Sequence, residues 1–250
     1  QYQTYGFSYA NLSGRLQYAL QGYSQTDFFY GYVPGIAFDP SLAFISRDDA
    51  LAVRTVRGGN GFAIYPFDRF RRVEFSGGLF NYNESFDNEL LQEQSDSFQQ
   101  ANYGTVLFRT GTFMPLGVNF IQETTVFREF GPLAGNTMRV SYEFAPPFGD
   151  RLLGRQTVDI DARQYLRLGT TGLFAFRGHY FNSWGEFPDF TYFGGNSEMR
   201  GYDYLQFLGQ KAFYGNAELR FPLIEAMATP IGILGGVRGV FFFDFGVAGF

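Results

Sequence analysis

The chain has 250 residues, of which 20% are aromatic and 17% are charged, a composition too aromatic and too poorly charged for a disordered chain. The formal net charge is −5, with 19 basic residues against 24 acidic ones, which gives no reason to expect nucleic-acid binding. The chain has no Cys and a single His, which excludes disulfides, thiolate metal sites and zinc clusters built on several histidines. We therefore expect no metal and no cofactor.

Apolar and polar residues alternate along many segments, which is the period of a strand with two unlike faces. In the clearest segment, 155–168, apolar residues such as Val158 and Ile160 alternate with charged ones such as Asp159 and Asp161. The pattern predicts ten strands, near residues 2–10, 15–28, 51–65, 69–82, 113–127, 137–145, 155–168, 172–183, 208–222 and 236–246. Each strand is about as long as a tilted strand that crosses a bilayer.

The connections between these strands alternate in length. Short turns are predicted at 12–14, 66–68, 131–135 and 169–171, and long loops at 29–50, 83–112, 146–154 and 184–207. Only the connection 223–235 breaks the alternation. Short turns at one rim and long loops at the other are typical of outer-membrane barrels.

A sheet in hydrocarbon must also close, because an open edge leaves backbone groups unsatisfied. The sequence therefore predicts an all-β fold, a transmembrane antiparallel β-barrel with apolar residues facing lipid and Arg, Asp and Glu facing the lumen. The alternative is a soluble all-β domain whose apolar face lies in a core.

Three motifs follow one another near the end of the chain, at 193–202, 216–222 and 241–246. In this order they resemble the BamA-like bacterial surface antigen superfamily, which includes barrel-assembly insertases and two-partner-secretion transporters. The resemblance implies an integral protein of the Gram-negative outer membrane that inserts or translocates proteins and is not an enzyme. It also implies contact with outer-membrane lipid and lipopolysaccharide, with client outer-membrane or secreted proteins, and with a periplasmic domain or accessory subunits.

The same resemblance implies a site. Residues 184–207 would form a long extracellular loop that folds into the lumen, where Arg200, followed by Gly201 and Tyr202, is pinned against Asp244 on the wall. Arginine suits this role because its rigid fork of donors matches a carboxylate and stays charged. Glu218 also faces the lumen by alternation and is a second candidate acceptor. The alternative for Arg200 is a solvated loop arginine.

Barrels of this superfamily have sixteen strands, whereas ten are counted here. Matching the motifs makes our first strand the fourth and our last the thirteenth, so residues 1–250 are expected to be one barrel domain that is incomplete at both ends. A second hypothesis is a structural or pore-forming barrel that anchors a periplasmic domain or surface complex and moves no protein.

Two weaker signals have ordinary explanations. The segment 83–112 is acidic and could hold Ca²⁺ or bridge lipopolysaccharide, but a solvated external loop is the simpler interpretation of Glu84, Asp87, Glu89, Glu93 and Asp96. His179 could serve catalysis only with a nucleophile, and no serine stands in a Gly-x-Ser-x-Gly elbow.

Overall fold

The computed structural model describes residues 4–30, 51–86, 88–104, 106, 110–128, 131–148, 152–169, 171–230 and 232–250. Its elements are, in chain order, β1 (Tyr5–Asn11), β2 (Gln17–Tyr30), β3 (Leu51–Pro66), β4 (Arg71–Phe86), α1 (Glu89–Tyr103), β5 (Thr110–Phe113), β6 (Leu116–Glu123), β7 (Val126–Arg128), β8 (Gly131–Ala145), β9 (Arg155–Leu168), β10 (Gly172–Gly185), β11 (Thr191–Phe193), β12 (Phe207–Gly209), β13 (Lys211–Thr229) and β14 (Gly232–Gly249). No helix in the described ranges is long and apolar enough to cross a membrane.

Twelve of these strands form one antiparallel sheet, which confirms the predicted fold class. Its path is β1-β2-β3-β4-β6-β8-β9-β10-β13-β14, so the ten predicted strands pair with their neighbours in chain order. The strand predicted at 113–127 is divided into β5, β6 and β7, with β5 pairing to β4 and β7 to β8. The first break falls at Pro115, which has no N–H to donate to the ladder.

The two faces of the sheet differ as the alternation predicts. One face carries large exposed apolar side chains, among them Phe241, Phe243 and Val247 on β14. We call this the outer face, because such a surface suits contact with hydrocarbon. The opposite, inner face carries the ion pairs, for example Arg177 with Asp161 at 2.8 Å.

The prediction of a loop at 83–112 is wrong, because β4 continues to Phe86 and α1 follows. The Asn88 side chain accepts hydrogen bonds from the amides of Leu90 (3.0 Å) and Leu91 (3.3 Å), and Gly104 ends the helix at a φ of 68°. These are standard helix boundaries. The acids of the segment do not converge: Glu84 is buried and bonded to Arg54, and no metal-binding cluster occurs among the described residues, which exclude Asp87.

Replacing Asn88 with Ala should destabilise the start of α1 by about 1 kcal/mol, because two amides lose their acceptor. Hydrogen exchange of the Leu90 and Leu91 amides should accelerate accordingly. Asn88→Asp keeps the acceptor and is the matched control. Equal exchange in Asn88→Ala and the unmodified protein would mean that packing alone holds this helix end.

Two predicted connections are also corrected. Residues 223–235 are not a long connection, since β13 runs to Thr229 and β14 begins at Gly232, with a bulge between Pro222 and Ile224. A bulge is one of the few places where a sheet tolerates proline. Residues 131–135 belong to β8 and pair in part with β7. The predicted loop 29–50 lies almost wholly outside the described residues.

Asp68 organises the turn between β3 and β4, and it gives this turn a pH dependence. Its carboxylate accepts from the amides of Phe70 (2.8 Å) and Arg71 (2.9 Å) and from the Arg71 side chain (2.9 Å). These hydrogen bonds lower the pKa of Asp68 below its ordinary 3.8, and the bond from the Phe70 amide has the largest effect.

Because that pKa is lowered in the folded turn, the stabilisation is complete above the ordinary value and is lost as the pH falls through the lowered one. The amide resonances of Phe70 and Arg71, followed by NMR in micelles, should therefore titrate with a midpoint below 3.8. The titration should vanish in Asp68→Asn. A midpoint at or above the ordinary value would contradict the proposed bonds.

Candidate functional site

Residues 186–210 return over the inner face of the sheet after β10 ends. The small sheet of β11 and β12 supports the tip of this segment, residues 194–206. The tip depends on glycine, because Gly194 and Gly195 have φ values of 143° and 80°, which other residues rarely adopt. The turn is closed by the Gly194 amide donating to the Glu198 carboxylate (3.0 Å) and the Met199 amide donating to the Gly195 carbonyl (2.9 Å).

An apolar cluster seats this segment on the wall. Phe193 is 1% exposed and stacks on Tyr214 of β13, with ring centroids 4.9 Å apart, and on Phe207 at 5.0 Å. Met199 is buried in the same cluster. Gly246 of β14 provides the room, since a Cβ there would lie 2.9 Å from the Phe193 ring. The wall is therefore shaped to accept the loop.

Arg200 lies next to this cluster and binds both candidate acids. Its Nε and Nη2 donate to the two oxygens of Asp244, at 2.7 and 2.6 Å, and its Nη1 donates to Glu218 at 2.7 Å. Its backbone amide donates to Asp244 as well, at 3.1 Å. This is the two-pronged geometry in which arginine binds carboxylate most strongly.

The surroundings of Arg200 favour its charged form. The guanidinium carbon lies 3.7 Å from the centroid of the Phe242 ring, within cation–π range. The hydrogen bond to Asp244 raises the pKa of Arg200 above its ordinary value. The Asp244 side chain is only 5% exposed, so the fork bond compensates a carboxylate that has little access to water.

Gly201 and Tyr202 lie in the turn that follows and do not join these contacts. Gly201 has a φ of 89°, which glycine adopts without strain. The Tyr202 ring packs edge-on against Phe207 at 5.0 Å and is half exposed. The structure thus brings together Arg200, Asp244 and Glu218, while Gly201 and Tyr202 shape the turn beside them.

Two wall residues that the sequence did not single out also hold the tip. Asn216 of β13 donates to the Asp244 carboxylate at 2.9 Å and to the Glu198 carbonyl at 2.6 Å. Arg177 of β10 donates to the Ser197 carbonyl at 3.3 Å. By alternation both side chains fall on the polar face, but a pattern of side chains does not reveal that each also donates to a loop carbonyl.

His179 lies beneath the loop, in a setting that explains its burial without catalysis. Its ring stacks on Tyr214 at 4.8 Å, and its Nε2 lies 3.4 Å from Asp159. Ser183, on the same inner face of β10, has its hydroxyl hydrogen-bonded to the Thr157 hydroxyl at 2.8 Å and to the Asp189 amide at 2.8 Å. His179 therefore belongs to the packing under the loop.

Comparison with known proteins bears on the fold. No family model and no curated protein matches the chain. Among solved structures, the chain is similar to BamA from Haemophilus ducreyi lacking POTRA domains 1–3, with a TM-score of 0.67 and 13% identity over 97% of this chain and 49% of that one. CdiB from Acinetobacter baumannii aligns with 14% identity over 98% of this chain and 40% of that one, at a TM-score of 0.47.

The chain thus spans about half the length of the BamA structure that it matches. At this low identity, the likeness concerns the fold. Together with the antiparallel sheet and its two unlike faces, it shows that the chain has the BamA-type β-barrel fold.

Proposed function

We propose that the chain is part of an outer-membrane β-barrel that inserts proteins into the outer membrane or translocates them across it. The observation that carries this proposal is the loop 186–210, which lies on the inner face and is fastened there by Arg200 to Asp244 and Glu218. We call this set of contacts the loop lock. A lumen occupied by a locked loop suits controlled passage better than a permanently open pore.

The open edges of the sheet support a larger barrel. Within the described residues, no hydrogen-bonded ladder joins β1 to β14. In hydrocarbon, the unpaired backbone groups of both edges would cost several kcal/mol each, so further strands are expected to pair with them. We infer that the ten-strand path is one part of the complete wall, and that residues 1–250 all belong to this barrel domain.

The proposal is tested with the full-length protein in cells depleted of the native copy. Arg200→Ala should reduce the assembly or secretion of client proteins while the barrel itself still reaches the outer membrane, as judged by fractionation and heat-modifiable gel mobility. Arg139→Ala is the matched control, because Arg139 is a half-exposed inner-face arginine that pairs with Asp159 and not with a residue of the loop lock.

The competing function is a structural or pore-forming barrel without transport activity. It predicts normal client assembly in Arg200→Ala, and steady currents in planar bilayers for the unmodified protein. A locked loop predicts small, fluctuating currents that increase in Arg200→Ala. Normal assembly together with steady currents would overturn the transport proposal.

A further inference from the structure

Beside the loop lock, the inner face of β9, β10 and β13 forms a half-open cavity of about 150 Å³. Ser197 of the loop tip forms part of its wall, and the charged side chains that line it are Arg163, Arg177, Arg220 and Glu218. Three arginines line the cavity with one acid, Glu218, and a second acid, Asp161, accepts from two of the three, so the arginines still outnumber the acids.

The acids around the cavity are each shared by two arginines. Asp161 accepts from Arg163 at 2.8 Å and from Arg177 at 2.8 Å. Glu218 accepts from Arg220 at 2.7 Å and from Arg200 at 2.7 Å. Sharing leaves the guanidiniums with more donors than these carboxylates can satisfy, because each arginine carries five N–H groups.

The N–H donors left over can be assigned to two arginine side chains. Arg163 reaches Asp161 through Nε and Nη2, and Arg220 reaches Glu218 through the same two atoms. Within the described residues, the Nη1 group of either arginine has no protein acceptor. Two guanidiniums that line one small cavity thus retain donors that suit an oxygen-bearing anion.

We propose that this cavity is a binding site for an oxyanion, a carboxylate or a phosphate group, held by Arg163 and Arg220. The site shares Glu218 with the loop lock but is formed by different arginines, and its existence does not depend on the proposed transport function. Because Arg177 lines the same cavity and donates to the Ser197 carbonyl, an anion bound there also lies against the loop tip.

The test is calorimetric titration of the full-length protein in micelles of uncharged detergent. The probes are inorganic phosphate and a glutamate peptide, with the equivalent glutamine peptide as the uncharged control. We expect at least one of the anionic probes to bind, and its affinity to fall about tenfold in Arg163→Gln or Arg220→Gln, as expected for loss of one charge-assisted contact. Binding of phosphate alone identifies a free anion as the ligand, and binding of the glutamate peptide identifies an acidic chain.

Arg139→Gln is the matched control, because Arg139 lies on the inner face but does not line the cavity. Arg163→Lys keeps the charge, so it should retain part of the affinity and exclude misfolding as the cause of any loss. Binding that is absent, equal in the glutamine control peptide, or unchanged in the Arg163→Gln/Arg220→Gln double variant would overturn the site. Loss of client assembly in Arg200→Ala is a separate result and bears only on the proposed function.

Discussion

Arg200→Ala and Asp244→Ala are each expected to lower the free energy of opening the loop tip by about 3 kcal/mol, and the double variant should cost little more than either one. Each single change leaves a poorly hydrated charge without its partner, which is the costly part of breaking such a pair. The Asp244 side chain is 5% exposed and Arg200 19% exposed, so screening by water is limited. Residues in direct contact are also those for which additivity fails.

The free energy of opening can be measured from hydrogen exchange of the Met199 amide, which donates to the Gly195 carbonyl in the locked loop and keeps that acceptor in every variant. Arg139→Ala is the control, since its pair with Asp159 is long (3.3 Å) and half exposed and should contribute less than about 1 kcal/mol. Arg200→Lys should recover part of the loss, because an ammonium cannot form the fork. Additive effects of Arg200→Ala and Asp244→Ala would show that the two side chains do not stabilise the tip together.

Alternation was sufficient to assign side chains to faces. By alternation Arg177, Glu218 and Asp244 fall on the polar face of their strands, and in the structure all three bind the loop on the inner face. This works because the period of a strand is strictly two, so one buried or lipid-facing residue fixes the orientation of the rest. The face of a wall residue is therefore available from sequence.

Local breaks in that pattern were harder to interpret. The cap at Asn88 and the glycine at 104 delimit α1, but both are single residues in a polar segment and resemble ordinary loop chemistry. The predicted connection 223–235 is replaced by a bulge after Pro222 and a tight turn between β13 and β14. A single capping residue, glycine or proline is compatible either with a loop or with the end or bulge of a regular element, and the neighbouring strand decides between them.

The path of the loop depended on contacts between distant residues. Phe193 is one of 33 phenylalanines, and nothing in its local sequence distinguishes it from those that face lipid. Its burial arises because Tyr214 and Gly246, on two neighbouring strands, form a surface that fits its ring. Such complementarity is a property of the assembled wall.

Phe193→Ala is expected to lower the free energy of opening the same tip by about 3 kcal/mol, through a different mechanism from Arg200→Ala. Removing a buried aromatic ring loses its transfer free energy and leaves a cavity that the stacked rings of Tyr214 and Phe207 only partly fill. Hydrogen exchange of the Met199 amide measures the loss. Tyr202→Ala is the matched control, because its ring is half exposed and a change below about 1 kcal/mol is expected.

The two predictions together separate the apolar and ionic contributions to holding the loop on the wall. High salt screens charge but strengthens or leaves unchanged the burial of apolar surface. In Phe193→Ala the loop is held mainly by its polar contacts, those of Arg200 first, so it should open more readily as salt is raised. The loop of Arg200→Ala, which depends on Phe193, should not. An equal response of both variants to salt would mean that the ring and the guanidinium do not act independently on the loop.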